Sequence, residues 1–142
     1  ILEETGCNLS AEKYYIKSLS IRRVLLLEDK ENFRESFIKT LFNLGDLYLN
    51  KLHFYNKSEQ IFQKLIKAGD NYSLTYLRFV ESLLMQNKFK KIDKILADNY
   101  ENKDILNIIY DSWRCYLTND SLSVQQKEYI DRKIKIVENY TT

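Results

Sequence analysis

The sequence of this chain predicts an all-α fold in which pairs of helices repeat and stack into a solenoid. Matching side chains recur 34 residues apart, a period typical of paired-helix arrays; they are Tyr76 and Tyr110, Phe79 and Trp113, Leu83 and Leu117, Tyr55 and Phe89, and the series Phe62, Leu96 and Ile130. The 142 residues include no proline and only three glycines, so the frequent turn signals that separate strands are missing. Apolar residues recur instead at intervals of three and four, which is the helical period.

Polar clusters divide the chain into successive helices. The first helix is predicted over residues 9–28, and the polar cluster 29–32 separates it from the second, over 32–52. Gly69, followed by polar residues, is a typical helix C-terminal stop. The remaining predicted helices are 56–68, 72–87, 89–98, 103–117 and 122–139. Because the connections are short, consecutive helices are expected to be antiparallel neighbours.

The period predicts one domain over residues 1–142, made of about three and a half helical hairpins. The repeat units lie near residues 1–31, 32–70, 71–101 and 102–142. The chain opens without a signal-peptide pattern or an initiator methionine, and residues 1–5 resemble the last turn of a helix that began earlier. We therefore expect the chain to be a fragment of a larger protein.

Composition and charge narrow the classes of partner. The 22 basic and 20 acidic residues give a net charge of +2 and are mixed along the chain, whereas a nucleic-acid or anionic-membrane surface would show a basic stripe. The longest apolar run, residues 24–27, is far shorter than the roughly 20 residues that span a bilayer. Cys7 and Cys115 stand far apart, and reduced thiols suit a cytoplasmic protein.

One segment carries a specific family motif. In the stretch Leu41-Phe42-Asn43-Leu44-Gly45-Asp46-Leu47-Tyr48, a large residue precedes Leu-Gly, and a tyrosine follows three positions later. Leu41, Leu44 and Tyr48 share one helical face, and the missing side chain of Gly45 lets a paired helix approach closely. This stretch resembles the first-helix signature of a tetratricopeptide repeat (TPR).

The second-helix pattern of the same family follows, with Tyr55, Ser58, Phe62 and Leu65 at the alternating aromatic and small slots. The interval from Tyr48 to Ser58 is one residue longer than in the family, so an insertion is expected in the turn near His53.

Other units fit less closely. In the third unit Val80 stands in the glycine slot and Ile92 in the slot where alanine is usual. The opening segment, residues 11–23, is similar to the longer repeats of kinesin light chains and of bacterial signalling proteins.

The resemblance implies a right-handed superhelix whose concave face, lined by the first helix of each pair, holds a peptide or partner helix. It implies no cofactor, metal or catalytic residue. The groove slots of the family transfer to Lys39, Phe42, Asn43, Asp46, Leu49 and Asn50, to Leu74, Leu77, Arg78, Glu81, Leu84 and Met85, and to Asp111, Arg114 and Cys115. Asp46, Glu81 and Asp111 would lie in a line, which favours a partner segment with basic and apolar residues.

Three hypotheses about the function remain open. The first is a non-catalytic module that binds a protein or peptide segment, or associates with itself, and binds neither nucleic acid nor membrane. The second is the peptide-sensing domain of a transcriptional or signalling regulator. An enzyme is the third possibility and would need a pocket with an acid or base of displaced pKa. His53 lacks the companion ligands of a metal site and is expected to be a turn residue.

Overall fold

The computed structural model describes residues 2–118 and 121–141, and within them the chain forms helices and no strand. The helices are α1 (Leu2–Glu28), α2 (Lys30–Leu47), α3 (Tyr55–Lys67), α4 (Ser73–Met85), α5 (Phe89–Asp98), α6 (Lys103–Tyr116) and α7 (Val124–Thr141). The prediction of an all-α chain is confirmed. No helix in the described part of the chain is long and apolar enough to cross a membrane.

The first helix departs most from its predicted limits. The sequence predicted a helix end near residue 5 and a new helix from residue 9, but α1 runs unbroken through Gly6. A single glycine inside a helix costs only about 1 kcal/mol, so it weakens α1 without ending it.

The break between α1 and α2 is also tighter than the predicted cluster 29–32. Only Asp29 leaves the helical conformation, with φ −147° and ψ 89°. Its carboxylate accepts a hydrogen bond from the backbone N–H of Asn32 at 3.3 Å and thereby caps α2.

The chain divides into two compact units, Ile1–Asn71 with α1 to α3 and Tyr72–Thr142 with α4 to α7. In unit 1, α2 packs against both α1 and α3. A Cβ added at Gly45 would lie 2.9 Å from Phe62 Cζ and 3.0 Å from Ile61 Cγ2, so α3 comes too close to α2 to leave room for a side chain. The fully buried Ser58 hydroxyl donates to the Gly45 carbonyl at 3.2 Å. The close approach predicted from the Leu-Gly motif is therefore present.

The extra residue expected between Tyr48 and Ser58 lies in a π-helical turn over Tyr48–Leu52. Such a turn accommodates one extra residue inside a continuing helix. His53 then takes a left-handed conformation with φ 58°, and the Phe54 N–H donates to the Tyr48 carbonyl at 2.8 Å. His53 is thus a turn residue, as the sequence predicts.

Unit 2 places two helical hairpins side by side. Helix α4 packs on α5 and on α6, and α6 packs on α7. Helices α5 and α7 meet through Phe89 and Tyr129, whose rings stack with centroids 4.5 Å apart. The first helices of the two hairpins, α4 and α6, thus pack on each other, and so do the second helices, α5 and α7.

A buried glutamine fixes the start of α7 in unit 2. Gln126 Oε1 accepts from the Ser123 N–H at 2.9 Å, while the Ser123 hydroxyl accepts from the Gln126 N–H at 3.1 Å, which is a capping box. The amide Nε2 of Gln126 also donates to the Leu84 carbonyl at 3.0 Å and to Asn87 Oδ1 at 3.1 Å. One side chain therefore caps α7 and ties it to the end of α4.

Burial follows the sequence period. Phe62, Leu96 and Ile130 are all buried, as are Phe79 and Trp113. These recurring side chains are core residues, which explains why their spacing is visible in the sequence.

Candidate partner-binding surfaces

Of the side chains predicted for the groove face of α2, some are exposed and others contact residues of the chain itself. Lys39 and Asn43 are exposed and line a cleft between α1 and α2. Phe42 turns towards α3, where its ring meets Phe62 edge to face at 5.5 Å. Asp46 accepts a hydrogen bond from Asn50 Nδ2 at 2.6 Å.

Leu49, the remaining predicted groove residue of unit 1, is 4% exposed and belongs to the core. Its position in the π-helical turn follows from the insertion described above.

The cleft between α1 and α2, here called the α1–α2 groove, has a volume of about 340 Å³. It is lined by Tyr14, Tyr15, Ser18 and Arg22 from α1 and by Ser36, Lys39, Thr40 and Asn43 from α2. The two helices are antiparallel. Residues spaced four apart along α1 therefore face residues spaced four apart along α2 in the opposite chain direction.

Arg22 joins the two walls of this groove. Its Nε donates to the Ser36 hydroxyl at 2.6 Å, and its Nη1 donates to the Ser18 hydroxyl on its own helix. The Thr40 hydroxyl donates to the Ser36 carbonyl at 3.0 Å. Arg22, Ser18 and Ser36 were not predicted as site residues, although a spacing of four residues places Tyr14, Ser18 and Arg22 on one helical face of α1.

In unit 2 the predicted residues of α4 form an ion pair that is partly covered. Arg78 Nη1 lies 2.7 Å from Glu81 Oε1, and the two side chains are 26% and 10% exposed. Leu77 is buried and Met85 is half-buried. Of the two further slots in α4, Leu74 is half-buried and Leu84 is buried.

Tyr116 extends this cluster from α6. Burial raises the pKa of Tyr116, and the charge of Glu81 and its hydrogen bond with the phenol raise it further. The phenol therefore stays protonated and donates to Glu81. The three side chains form a polar cluster between α4 and α6 that holds the predicted groove residues Arg78 and Glu81 in place.

The predicted residues of α6 are exposed. Arg114 Nη1 lies 3.0 Å from Asp111 Oδ1, one turn away on the same helix, and its Nε lies 4.0 Å from Glu138 Oε1 on α7. Cys115 is an exposed free thiol, as is Cys7 in unit 1. Exposed pairs of this kind contribute little to stability.

Two further polar clusters stabilise the helix pairs. In unit 1 burial raises the pKa of Tyr48, and its hydrogen bond with Glu12 adds to the shift. In unit 2 Asp93 Oδ1 accepts from the Tyr129 hydroxyl at 2.6 Å and lies 2.7 Å from Lys133 Nζ. Burial opposes the ionisation of Asp93, but the hydrogen bonds from Lys133 and Tyr129 outweigh it and lower the pKa of Asp93.

Comparison with known proteins adds one sequence similarity. The chain is 27% identical over 112 residues to an elongation factor Ts of Phytoplasma australiense. The alignment covers 76% of this chain and 36% of that protein, so the chain spans about a third of the length of this curated relative. No family model and no solved structure match the chain. This identity and coverage do not place the chain in the family of that protein, and the TPR resemblance stays a prediction.

Proposed function

We propose that this chain is a non-catalytic module that binds a protein or peptide segment through a TPR-like array of helical hairpins. The TPR resemblance implies that the binding surface lies on the first helix of each hairpin, which is α2 in unit 1 and α4 and α6 in unit 2. The module acts in the cytoplasm.

The observation that supports this proposal most directly is the packing of α2 on α3. Gly45, Ser58 and Phe62 make the contacts that the TPR signature requires of a first and a second helix. In unit 2 the hairpins α4–α5 and α6–α7 repeat this arrangement side by side. Hairpins of this kind cannot bury their apolar stripes alone, and stacking them leaves one extended face for recognition.

The polar side chains on the proposed face suit reversible binding. Lys39 and Asn43 on α2 are exposed, as are Asp111 and Arg114 on α6. An extended or helical peptide is recognised by such side chains together with apolar pockets, and Met85 and Leu74 are half-buried on the same helix of unit 2.

Peptide display tests the proposal. Random peptides are selected on the immobilised 142-residue chain, and the affinity of the selected peptides is measured by isothermal titration calorimetry. Asn43→Ala and Arg114→Ala each remove one contact of the proposed face and should weaken binding by about two- to tenfold. Gln63→Ala and Lys94→Ala change exposed residues of α3 and α5 and should leave the affinity unchanged.

A selection that yields no binding peptide would contradict the proposal. So would peptides whose affinity falls as much with Gln63→Ala or Lys94→Ala as with the variants of the proposed face. Circular dichroism of each variant checks that the helices are retained.

A further inference from the structure

We propose that the α1–α2 groove is a subsite for an anionic group carried by the bound peptide, either a phosphoryl group or a carboxylate. This inference rests on the function proposed above and assigns the chemistry of part of its ligand. Its support is the set of donors that line the groove, together with the lack of an acidic side chain among the described lining residues.

The first support is the guanidinium of Arg22. A guanidinium has five N–H donors in a planar fork that matches the oxygens of a carboxylate or a phosphate. In the groove Arg22 is half-buried and donates to two neutral hydroxyls, those of Ser18 and Ser36. Among the described residues no carboxylate pairs with it. Arg22 is therefore held in one orientation by the two serines while its positive charge remains unneutralised.

The two serines add donors of their own. Each hydroxyl accepts a hydrogen bond from Arg22, so its own proton is directed to another acceptor. Ser18 is only 8% exposed, which fixes the position of its hydroxyl at the base of the groove. An anion seated there would accept from both hydroxyls and from the guanidinium.

Lys39 and Asn43 complete the site at its rim. Both are exposed, and neither has a hydrogen-bond or ion-pair partner within the part of the chain that the structure describes. Lys39 supplies a second positive charge, and the Asn43 amide supplies a neutral donor. None of the eight lining side chains that the structure describes is acidic.

Two carboxylates near the groove have partners of their own. Glu12 lies 3.9 Å from Lys57 Nζ and shares a hydrogen bond with Tyr48, and Asp46 accepts from Asn50. Arg22 is half-buried, and a cation that is partly removed from water attracts an anion more strongly than the same cation in bulk solvent.

This charge pattern differs from the one expected from sequence. The line of Asp46, Glu81 and Asp111 predicted a basic partner, but Glu81 pairs with Arg78 and Asp111 pairs with Arg114. The charges that remain without a described partner in the groove belong to Arg22 and Lys39. The partner segment should therefore carry a negative group at the position that reaches α1 and α2.

The proposal is tested with three peptide libraries that differ at one fixed central position, which is phosphoserine, glutamate or glutamine. Binding to the full chain is measured by fluorescence anisotropy. We expect the phosphoserine library, the glutamate library or both to bind at least about fivefold more tightly than the glutamine library. Comparison of the phosphoserine and glutamate libraries shows whether the groove prefers a phosphoryl group or a carboxylate. Added salt should reduce the preference for the anionic libraries over the glutamine library.

Matched variants connect the preference to the groove. Arg22→Gln and Lys39→Gln should each remove most of it, whereas Arg23→Gln and Lys17→Gln, which remove the same charge from exposed positions of α1, should keep it. Because Arg22→Gln also removes the hydrogen bonds to Ser18 and Ser36, Arg22→Lys retains the charge and should restore part of the preference. Lys39 is exposed and makes no described hydrogen bond or ion pair, so its replacement should leave the fold intact.

Three results would overturn the inference. The first is equal binding of all three libraries, which would refute the anionic subsite while leaving peptide binding intact. The second is an equal loss of preference in Arg23→Gln and Arg22→Gln. The third is that anionic vesicles or a single-stranded oligonucleotide bind the chain in an Arg22-dependent manner and compete with the libraries, which would assign the groove to another class of ligand. If no library binds at all, the proposed function itself fails.

Discussion

Replacing Gly45 with alanine should destabilise the chain, although alanine is the better helix former. Gly45 lies inside α2, where helix propensity alone would favour alanine by about 1 kcal/mol. Packing acts in the opposite direction. The added Cβ would lie 2.9 Å from Phe62 Cζ and 3.0 Å from Ile61 Cγ2, whereas carbon atoms in contact prefer about 3.5–4.0 Å. Both neighbours are buried, so neither can move into solvent.

Gly6 provides a matched control for the magnitude. It also lies inside a helix, α1, but a Cβ there would have no heavy atom within 4 Å. Gly6→Ala should therefore show only the gain in propensity, about 0.5–1 kcal/mol. Overpacking of a filled core costs about 1–3 kcal/mol. The free energy of unfolding should thus be lower for Gly45→Ala than for Gly6→Ala by about 1–3 kcal/mol.

Urea unfolding followed by far-ultraviolet circular dichroism measures this difference. A second variant tests its cause, because Phe62→Leu removes the ring carbons that the new methyl would meet. Gly45→Ala combined with Phe62→Leu should cost less than the sum of the two single changes. If Gly45→Ala is as stable as Gly6→Ala, or if the two changes are additive, the close approach of α2 and α3 is not what requires the glycine.

Three other predictions follow from the described contacts. Gln126→Ala should lower the free energy of unfolding by about 2–3 kcal/mol, because it leaves buried hydrogen-bonding groups without a partner. Urea unfolding, followed by the fluorescence of the tryptophan in unit 2, measures this loss. Asp93 has a lowered pKa, so its ionised form stabilises unit 2 above pH about 4, and this stabilisation is lost as the pH falls through the folded pKa. Because Asp93 is partly exposed, Asp93→Asn should cost under about 1 kcal/mol at neutral pH, and the difference from the unaltered chain should vanish in acid. Val24→Asp should reduce self-association, measured by light scattering after gel filtration, since α1 exposes an apolar face.

Each of these predictions has a control and a contradicting result. Gln125→Ala alters an exposed neighbour on α7 and should be near neutral, so an equal loss there would contradict the role of Gln126 as a cap. A stability difference for Asp93→Asn that persists at pH 2 would contradict the electrostatic origin. Val124→Asp changes an exposed apolar residue of α7, and an equal effect on association would remove α1 as the interface.

The sequence predicted the helices well because their signal is local. The positions of Leu41, Leu44 and Tyr48 on one face, and the small side chains at Gly45 and Ser58, foretold how α2 meets α3. The extra residue between Tyr48 and Ser58 was also visible in the sequence, but the local structure that accommodates it was not. Spacing counts residues and does not distinguish a longer loop from a π-helical turn.

The α1–α2 groove could not be predicted in the same way. Arg22 meets Ser36 because a single residue, Asp29, separates α1 from α2, whereas the sequence suggested a turn over residues 29–32. A shift of a few residues in that turn changes which side chains face one another across the helix pair. The contact of Glu81 with Tyr116 was missed for a related reason, because it depends on how α4 packs against α6.

The most direct test of the account is to map a bound peptide onto the chain by NMR. A selected peptide is titrated into the isotope-labelled chain, and the shifts of backbone amides and of the Asn43 side-chain amide are followed. The account predicts that the largest changes fall on α2, α4 and α6 and on the groove-facing residues of α1. Changes concentrated on the exposed residues of α3, α5 and α7, with α2 unaffected, would contradict it.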